Sequence, residues 1–502
     1  MEFVTNILTG FQITFQPVNI LYCFAGVFIG TLIGVLPGIG PSGTISILLP
    51  ATFSLSPVTS IILLAGIYYG AMYGGSITSV LVNVPGEAAS VVTCLDGYQM
   101  ARQGRAGPAL GIAAFGSFIA GTFSVIALMF VSVPLSKFAL AFGPPEYTSL
   151  IVLGITLLAY LAQKSLVKAL ITASFGFLLS FVGLDTITGR ARYTFGLPDL
   201  MDGVGILPVV MGLFGVAEVL QNLNIEEGIS IFKTRLGSLL PDRKDWKDSW
   251  KPITRGSALG FIIGIIPGGS AVLASFVSYA AEKRCSKHPE RFGSGAIEGV
   301  AGPESANNSA FGGGLVPLFG LGIPSSVVTA LLFAALMIHG VEPGPFLITE
   351  HPDVFWGLVA SMYLGNVLLL IINVPLIRLW VQVLKVPQWL LFPLILLFCI
   401  IGSYAINNAL FDVGFMMFFG ILGYLMNKFG YEPAPLALAF VLGPIFEKSV
   451  RQSLRLSGGD FSIFFTRPLS ALLLIMAASV LLSYFFFKKQ RAVLEGGEKS
   501  AI

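Results

Sequence analysis

The chain has 502 residues, 55% of them hydrophobic and only 11% charged, and its formal net charge is +3. So few charged side chains exclude a soluble domain of any size, and basic residues spread over short loops argue against a nucleic-acid-binding protein. Apolar segments of about 17 to 25 residues, the length that a helix needs to cross a bilayer, recur from Leu21 to Phe487. We therefore predict an all-α polytopic membrane protein, with a lipid bilayer and no nucleic acid among its partners.

Residues 1–20 lack the basic region that opens a signal peptide, and they are predicted to form a surface segment. The next apolar run is interrupted by GVLPGIGPSG at 34–43. A Pro-Gly break at bilayer depth survives only where protein or a water-filled cavity shelters the freed backbone groups. The run therefore predicts a re-entrant helical hairpin over about 21–53. Because no Lys or Arg occurs before Arg102, this hairpin is expected to enter from the outer face.

A second break follows in GGSITSVLVNVPGEAASVVT at 74–93, and the basic sequence ARQGRAG at 101–107 predicts that its far end is cytoplasmic. The polar stretch 222–255 carries seven Lys or Arg residues, so it is also predicted to be cytoplasmic and to divide the protein into halves. Four apolar segments lie between these regions, at about 109–133, 147–162, 166–183 and 205–222.

The second half repeats both interruptions. GIIPGGSAVL at 264–273 matches the first break, and its basic flanks predict a hairpin over about 256–281 that enters from the cytoplasmic face. GGLVPLFGLGIPSSVVT at 313–329 matches the second break, but the segment after it, 339–353, has no Lys or Arg and is expected outside. Equivalent points thus face opposite sides, which is the pattern of inverted-topology repeats. The aligned positions are Gly74 with Gly313, Gly75 with Gly314, Pro85 with Pro324 and Gly104 with Gly340.

These observations predict the domain organisation. The domains are a first inverted repeat at 1–222, a cytoplasmic linker at 223–255, a second inverted repeat at 256–446, and a C-terminal helix with a cytoplasmic tail at 447–502. The remaining apolar segments fall at about 353–376, 388–405, 409–426, 432–446 and 469–487. Some basic residues depart from the scheme because they would lie outside, namely Lys137, Arg190, Arg192, Arg451 and Arg455.

The helix breaks form the candidate substrate site. A half-helix that ends in the membrane turns unsatisfied N–H groups and the positive end of its dipole inward, where they attract anions. The alternative for each tip is a kink used only in helix packing. We expect the two tips and the two later breaks to meet near the bilayer midplane. The predicted substrate-binding residues are Pro37, Gly38, Gly40, Pro41, Ser42, Gly43, Thr44, Pro267, Gly268, Gly269, Ser270, Asn83, Pro85, Gly86, Pro324, Ser325 and Ser326.

Polar side chains near the breaks are candidates for ion coupling, because their oxygens bind sodium and buried carboxyl groups carry protons. The competing interpretation of Glu87 and Asp96 is a solvated turn beside Arg102 and Arg105. The predicted ion-coupling residues are Ser76, Thr78, Glu87, Glu304, Asn307, Asn308 and Ser309. No cofactor is expected apart from Na+ as a candidate coupling ion, since the four cysteines and three histidines show no metal-ligand spacing.

The chain contains no GxxxxGK[ST] motif, so transport is expected to depend on an ion gradient or on a separate partner. An enzyme is not expected, because the apolar segments carry no nucleophile and base at workable spacing. A channel-like permease for small anions is the alternative, since channels also use re-entrant loops.

Several long motifs occur in order: GVLPGIGPSG, YYGAMYGGSITSVLVNVPGEAASVVT at 68–93, GRAGPALGIAAFGSF at 104–118, and PESANNSAFGGG at 303–314 followed by GLGIPSS. Together they resemble the large membrane subunit of the tripartite tricarboxylate transporter family. The resemblance implies uptake of di- or tricarboxylates across the bacterial inner membrane by sodium or proton symport. It implies two partners, a small four-helix membrane subunit and a periplasmic solute-binding protein. By analogy with other transporters that carry paired hairpins, it also suggests an elevator-type secondary transporter.

Overall fold

The computed structural model of the chain describes residues 2–36, 40–161, 165–185, 187–222, 239–383 and 388–498. Within these ranges the chain is helical almost throughout, and the short strands β1 (Gly183–Leu184) and β2 (Ala191–Arg192) pair antiparallel. The prediction of an all-α protein is therefore confirmed.

The helices divide at the linker into two series. The first series is α1 (Glu2–Thr14), α2 (Pro17–Val35), α3 (Pro41–Leu48), α4 (Pro57–Val82), α5 (Val91–Arg102), α6 (Ala106–Ala139), α7 (Pro144–Leu161), α8 (Leu166–Ser180), α9 (Ile206–Val210) and α10 (Ala217–Asn222), with the π-helical turn Met211–Val216 between the last two. The second series is α11 (Arg243–Ile265), α12 (Ala271–Cys285), α13 (Glu298–Leu321), α14 (Val327–Ile338), α15 (Leu347–Glu350), α16 (Pro352–Asn373), α17 (Ile377–Val383), α18 (Gln388–Asn407), α19 (Leu410–Lys428), α20 (Pro433–Leu456), α21 (Ile463–Thr466) and α22 (Pro468–Glu498). Short 3-10 turns lie at Leu49–Thr52, Ala88–Ser90, Pro198–Leu200 and Pro289–Arg291.

Among the described residues, seven helices are long and apolar enough to cross a membrane: α2, α4, α6, α7, α16, α19 and α20. The apolar segments predicted from the sequence coincide with observed helices, as 353–376 does with α16. Every residue of the most apolar stretch of α4 is buried inside the protein, so other parts of the chain surround this helix. The chain is a multi-pass membrane protein.

The predicted hairpins correspond to helix pairs with arms of unequal length. The helices α2 and α3 flank the first tip, and α11 and α12 flank the second. The first arm of the second hairpin reaches back into the predicted linker, because Asp242 and Asp245 form a capping box at the start of α11. The rest of that linker, 223–238, lies outside the described residues. With 19 residues, α2 is long enough to cross a membrane, so a re-entrant first arm remains a prediction.

The helices pack into two compact units. The first unit consists of residues 1–137 and 205–426 and contains both hairpins and both later breaks. The second consists of residues 138–204 and 427–502. This division by packing is independent of the predicted division into repeats, which is based on sequence similarity and remains a prediction.

In the second unit, α20 contacts α7 and α8, and α22 contacts α7. Two of the arginines that departed from the loop-charge scheme form ion pairs here. Arg192 pairs with Glu447 at 2.7 Å, and Arg451 pairs with Asp185 at 2.8 Å. Hydrogen bonds from Arg451, followed by those from the backbone N–H groups of Ile187 and then Thr188, hold the pKa of Asp185 well below its usual value. The positions of these arginines therefore reflect the packing of this unit as well as loop charge.

In the first unit, α2 packs on α4 and α11 packs on α13 through glycines spaced four residues apart. At each glycine a Cβ would collide with a backbone oxygen of the facing helix. Small residues at this spacing let membrane helices approach at backbone distance. We call these two contacts the glycine seams. In the first seam, Gly26 faces Leu63, Gly30 faces Ile67 and Gly34 faces Ala71; in the second, Gly256 faces Gly302, Gly260 faces Ala306 and Gly264 faces Ala310.

Candidate functional site

The helices α4 and α13 both end in a residue with a left-handed backbone. Asn83 ends α4 with a φ of 61°, and Gly322 ends α13 with a φ of 72°. In the sequence alignment of the two breaks, Asn83 falls on Gly322, as Gly74 falls on Gly313. A positive φ is strained for most side chains, but glycine and asparagine adopt it readily. The chain therefore turns at equivalent positions after α4 and α13, in both cases through a residue with a left-handed backbone conformation.

This turn makes a prediction about Asn83, whose side chain is exposed. Asn83→Gly should unfold at the wild-type temperature, because glycine adopts the left-handed conformation freely. Asn83→Val should lower the free energy of unfolding by about 1–2 kcal/mol, because a β-branched residue is strained there. Thermal unfolding of the protein in detergent measures both changes. Equal unfolding temperatures for the glycine and valine variants would contradict the assigned role.

The second tip is bonded to the second break. The N–H of Gly268 donates to the backbone oxygen of Ser325 at 2.8 Å. The side chain of Ser270 accepts from the N–H of Leu273 and caps the start of α12. A Cβ at Gly269 would collide with a backbone oxygen of the first arm. The tip therefore has no room for a larger residue at this position, and its placement depends on the break.

Only part of the first tip can be described, because Pro37 and Gly38 lie outside the described residues. Gly40 precedes α3 and Pro41 occupies its first position, where a missing N–H leaves no helical bond unmade. The hydroxyl of Thr44 donates to the backbone oxygen of Gly40 at 3.2 Å. As at any helix start, the first backbone N–H groups of α3 have no acceptor within the helix.

Each hairpin contacts the break of the opposite half. The helix α3, which follows the first tip, contacts α14, which follows the second break. The helix α12, which follows the second tip, contacts the turn Ala88–Ser90, which follows the first break. We call these two contacts, each between a segment that follows a tip and a segment that follows the opposite break, the crosswise contacts. The half-buried hydroxyl groups of these four segments belong to Ser42, Ser270 and Ser326.

Glu304 lies at the centre of a buried hydrogen-bond network. Its side chain is 0% exposed and joins three helices of the first unit. Ser76 on α4 donates to Oε2 at 2.6 Å, Thr93 on α5 donates to Oε1, and Asn307 donates to Oε2 at 3.4 Å. Glu304, Ser76 and Asn307 were predicted from the sequence as ion-coupling residues, whereas Thr93 was not. The recurrence of SVVT at 90–93 and 326–329 is the sequence signal that could have identified Thr93.

Asn307 and Asn308 were expected at the second break, but the structure places them inside α13, before its end at Leu321. Proline does not end this helix, although Pro303 lies within it. The side-chain amide of Asn308 donates to Oγ of Ser117 on α6 at 2.7 Å and to Oδ1 of Asn307. The two amides therefore connect α13 to a neighbouring helix and stand beside Glu304.

Two other predicted ion-coupling residues join the helices of the glycine seams. The hydroxyl of Thr78 on α4 donates to the backbone oxygen of Val35 on α2 at 2.8 Å. The hydroxyl of Ser309 on α13 donates to the backbone oxygen of Ser257 on α11 at 2.7 Å. Each hydroxyl is directed at a backbone acceptor across its own seam, so the structure gives both a part in helix packing.

Glu87 is a second buried carboxylate, and its side chain is 6% exposed. Its Oε2 accepts from the N–H of Ala89 at 2.7 Å and caps the turn that begins α5. No hydrogen-bond partner for Oε1 occurs among the described residues. Gly75 packs directly on Glu87, and its chain neighbour Ser76 is bonded to Glu304. The two carboxyl groups therefore lie against adjacent residues of α4.

Asp96 does not lie in a solvated turn, because its side chain is 0% exposed. Its Oδ1 accepts from the backbone N–H groups of Gly293, Gly295 and Ala296 at 2.8–2.9 Å, and its Oδ2 accepts from the hydroxyl of Tyr279 at 2.9 Å. These donors are about 200 residues away in the chain, so the loop sequence alone carried no sign of them. Asp96 fixes α5 to α12 and to the loop before α13.

The oxygens around Glu304 face each other in pairs at hydrogen-bond distance. Ser76 lies 2.6 Å from Glu304, and the nearest group of Asn307 is its N–H donor. The amide oxygen of Asn307 is itself bonded to Asn308. Glu304, Ser76 and the two asparagine amides therefore form one continuous hydrogen-bond network in the described structure.

Comparison with known proteins adds the family. Residues 20–438 match the model described as the tripartite tricarboxylate transporter TctA family. An uncharacterized 52.8 kDa protein in the TAR-I ttuC' 3' region of Agrobacterium vitis is 51% identical over 474 residues, 94% of each chain. An uncharacterized protein in the TAR-II ttuC' 3' region of the same organism is 53% identical over 215 residues, 43% of this chain and 89% of its own length. No solved structure matches.

Proposed function

Because the chain belongs to the tripartite tricarboxylate transporter TctA family, we propose that it takes up di- and tricarboxylates across the bacterial inner membrane, driven by a Na+ or H+ gradient. A component of such a transporter works with partner subunits. In this proposal they are a small four-helix membrane subunit and a periplasmic solute-binding protein that delivers the carboxylate. The C-terminal tail then lies in the cytoplasm.

The observation that carries the proposal is the crosswise contact between hairpins and breaks. In each half, the helix that follows the tip packs against the segment that follows the opposite break. A helix start offers free N–H groups and the positive end of a dipole, both of which attract carboxylates. Ser42, Ser270 and Ser326 add hydroxyl donors there. We propose that a carboxylate binds among these helix starts and bridges the two halves.

The glycine seams support the proposal of two repeats. Both seams use glycines four residues apart on the hairpin arm, and equivalent residues of the broken helix face them. We propose that the repeats have inverted topology and that each seam keeps its hairpin fixed to its broken helix. In an elevator-type cycle such a rigid body carries the bound carboxylate across the membrane.

The direct test is uptake into proteoliposomes that contain this chain with its two partner proteins. Radiolabelled citrate, malate and succinate serve as probes. We expect saturable uptake of at least one of them, dependent on the binding protein and abolished when both ion gradients are collapsed. Non-saturable flux that persists without a gradient would instead identify a channel-like permease and overturn the proposal.

A further inference from the structure

Glu304 is a buried carboxyl group whose described hydrogen-bond partners are all uncharged. Its side chain is 0% exposed, and the groups that contact it are two hydroxyls and an amide, all uncharged. Among the described residues, no Lys, Arg or His forms an ion pair with Glu304 or with Glu87. Burying an ionised carboxylate without a charged partner is costly, and a neighbouring carboxylate makes the cost larger. Protonation of Glu304 removes this cost.

The hydrogen bonds of Ser76 fit both protonation states of Glu304. The hydroxyl lies 2.6 Å from Oε2 of Glu304 and 3.2 Å from the backbone oxygen of Met72. It has one hydrogen, which it donates to Glu304 when the carboxylate is charged. When Glu304 is protonated, the hydroxyl can accept that proton's hydrogen bond and turn its own hydrogen to Met72. The local structure therefore accommodates gain and loss of a proton without moving heavy atoms.

Ser76 also lines a cavity. Tyr73, Ser76, Ser117 and Asn373 are the polar residues that line it, and the remaining lining is apolar. It is large enough to hold water. Within the described part of the chain, the hydroxyl of Tyr73 and Oδ1 of Asn373 have no hydrogen-bond partner, although both side chains are at least nine-tenths buried. Buried polar atoms of this kind are normally satisfied by water, so the cavity is suited to bring water to Ser76 and Ser117.

We propose that Glu304 is the proton-binding site of the transport cycle and that protons reach it from water in the cavity lined by Tyr73, Ser76, Ser117 and Asn373. A proton passes from hydronium in the cavity to Glu304 and neutralises its carboxylate. Later in the cycle Glu304 releases this proton to water on the opposite side of the membrane. The inference rests on the proposed function and deepens it, because it makes H+ rather than Na+ the coupling ion at this site.

The other ionisable groups near Glu304 come from each helix packed around it. Tyr73 on α4, and Glu87 and Cys94 on the α5 side, interact with it electrostatically. On α12, Glu282 contacts Gly302 near the start of α13, but it is bonded to Arg255 of α11. Glu87 and Asp96, which lies on α5 against Gly299 of α13, are thus nearby carboxyl groups that have no cationic partner in the described chain. A charge on Glu87 opposes a charge on Glu304.

Infrared difference spectroscopy of the purified protein between low and high pH tests the inference without a substrate. The band of a protonated carboxylic acid should disappear on raising the pH in wild type, and Glu304→Gln should remove most of this change. Glu146→Gln, which alters a buried glutamate of the second unit, is the matched control and should keep it. Ser76→Ala should move the transition to higher pH by about one unit, because it removes a hydrogen bond to the charged form. A Glu304→Gln spectrum identical to wild type, a band suppressed by sodium, or an unmoved transition in Ser76→Ala would overturn the inference.

Transport by the complete complex in proteoliposomes gives the second test, with citrate as the probe. Glu304→Gln should reduce uptake driven by a pH gradient at least ten-fold and keep exchange of internal for external citrate near the wild-type rate. Loss of both activities would make Glu304 a substrate-binding or structural residue, and retention of both would exclude a coupling role. If wild type moves neither citrate, malate nor succinate, the proposed function fails, while the infrared result still decides whether Glu304 binds a proton.

Discussion

Replacing Gly260 by leucine is expected to lower the free energy of unfolding by about 3 kcal/mol or more. A Cβ at Gly260 would collide with the backbone oxygen of Ala306, so α11 and α13 must separate along the whole second seam. Overpacking of a tight interface costs about 1–3 kcal/mol even where side chains can give way, and a backbone oxygen cannot. Gly30→Leu should have a similar effect in the first seam, where Gly30 faces Ile67 in the equivalent way.

The matched control is Gly414→Leu. Gly414 is also a glycine within a helix of the first unit, but apart from its own helix backbone no heavy atom of the described residues lies within 4 Å of the Cβ position. Thermal unfolding in detergent should therefore show a large fall in unfolding temperature for the two seam variants and little change for the control. Equal unfolding temperatures for Gly260→Leu and Gly414→Leu would contradict close backbone contact in the second seam.

Replacing Gly269 by valine is expected to reduce citrate uptake by about 100-fold or more. A Cβ at this position would collide with the backbone oxygen of Ile263 and lie 2.7 Å from that of Ile266. The tip must then move, and the bond from the N–H of Gly268 to Ser325 is lost. Displacement of a binding element by about 1 Å can cost about 100-fold in a positioned reaction.

Uptake per reconstituted transporter measures this effect, and size-exclusion chromatography of the same preparation reports whether the variant is folded. Gly414→Val should transport at the wild-type rate. A folded Gly269→Val protein with near-normal uptake would show that the second tip takes no part in substrate binding.

The sequence predicted the helices well, because apolar length and Pro-Gly breaks act locally. The segment predicted at 388–405 is observed as Gln388–Asn407, and the breaks predicted near Pro85 and Pro324 follow helices that end at Val82 and Leu321. These features depend on residues that are close together in the sequence. Helices and breaks of this protein could therefore be predicted from its sequence alone.

The positions of the polar residues could not be predicted from the sequence, because they depend on tertiary contacts. Asn307 and Asn308 were expected near a break, but PESANNSAFGGG forms the middle of α13, where Gly313 faces a backbone oxygen of α11. A solvated turn was the competing interpretation of Asp96 because of its basic neighbours, yet its partners come from the other half of the chain. Burial of this kind is set by helices that pack from distant parts of the sequence.

The pairing of the ion-coupling candidates also needed the structure. Glu304 and Ser76 were both proposed from the sequence, but not as partners of one hydrogen bond. Thr78 and Ser309 were proposed for the same task, and in the structure their hydroxyls donate to backbone oxygens across the seams. Residue type and depth indicate which side chains are candidates, whereas only geometry separates a buried proton site from a packing contact.

In the proposed function, a carboxylate binds where the hairpins meet the opposite breaks. Its most direct test is protection of single cysteines from a thiol reagent, in a complex whose native cysteines are replaced by alanine. Citrate should slow labelling of Ser42→Cys and of Ser270→Cys at least ten-fold and leave the exposed control Ser462→Cys unchanged. Unchanged labelling of both tip cysteines, in a complex that still transports citrate, would contradict the account.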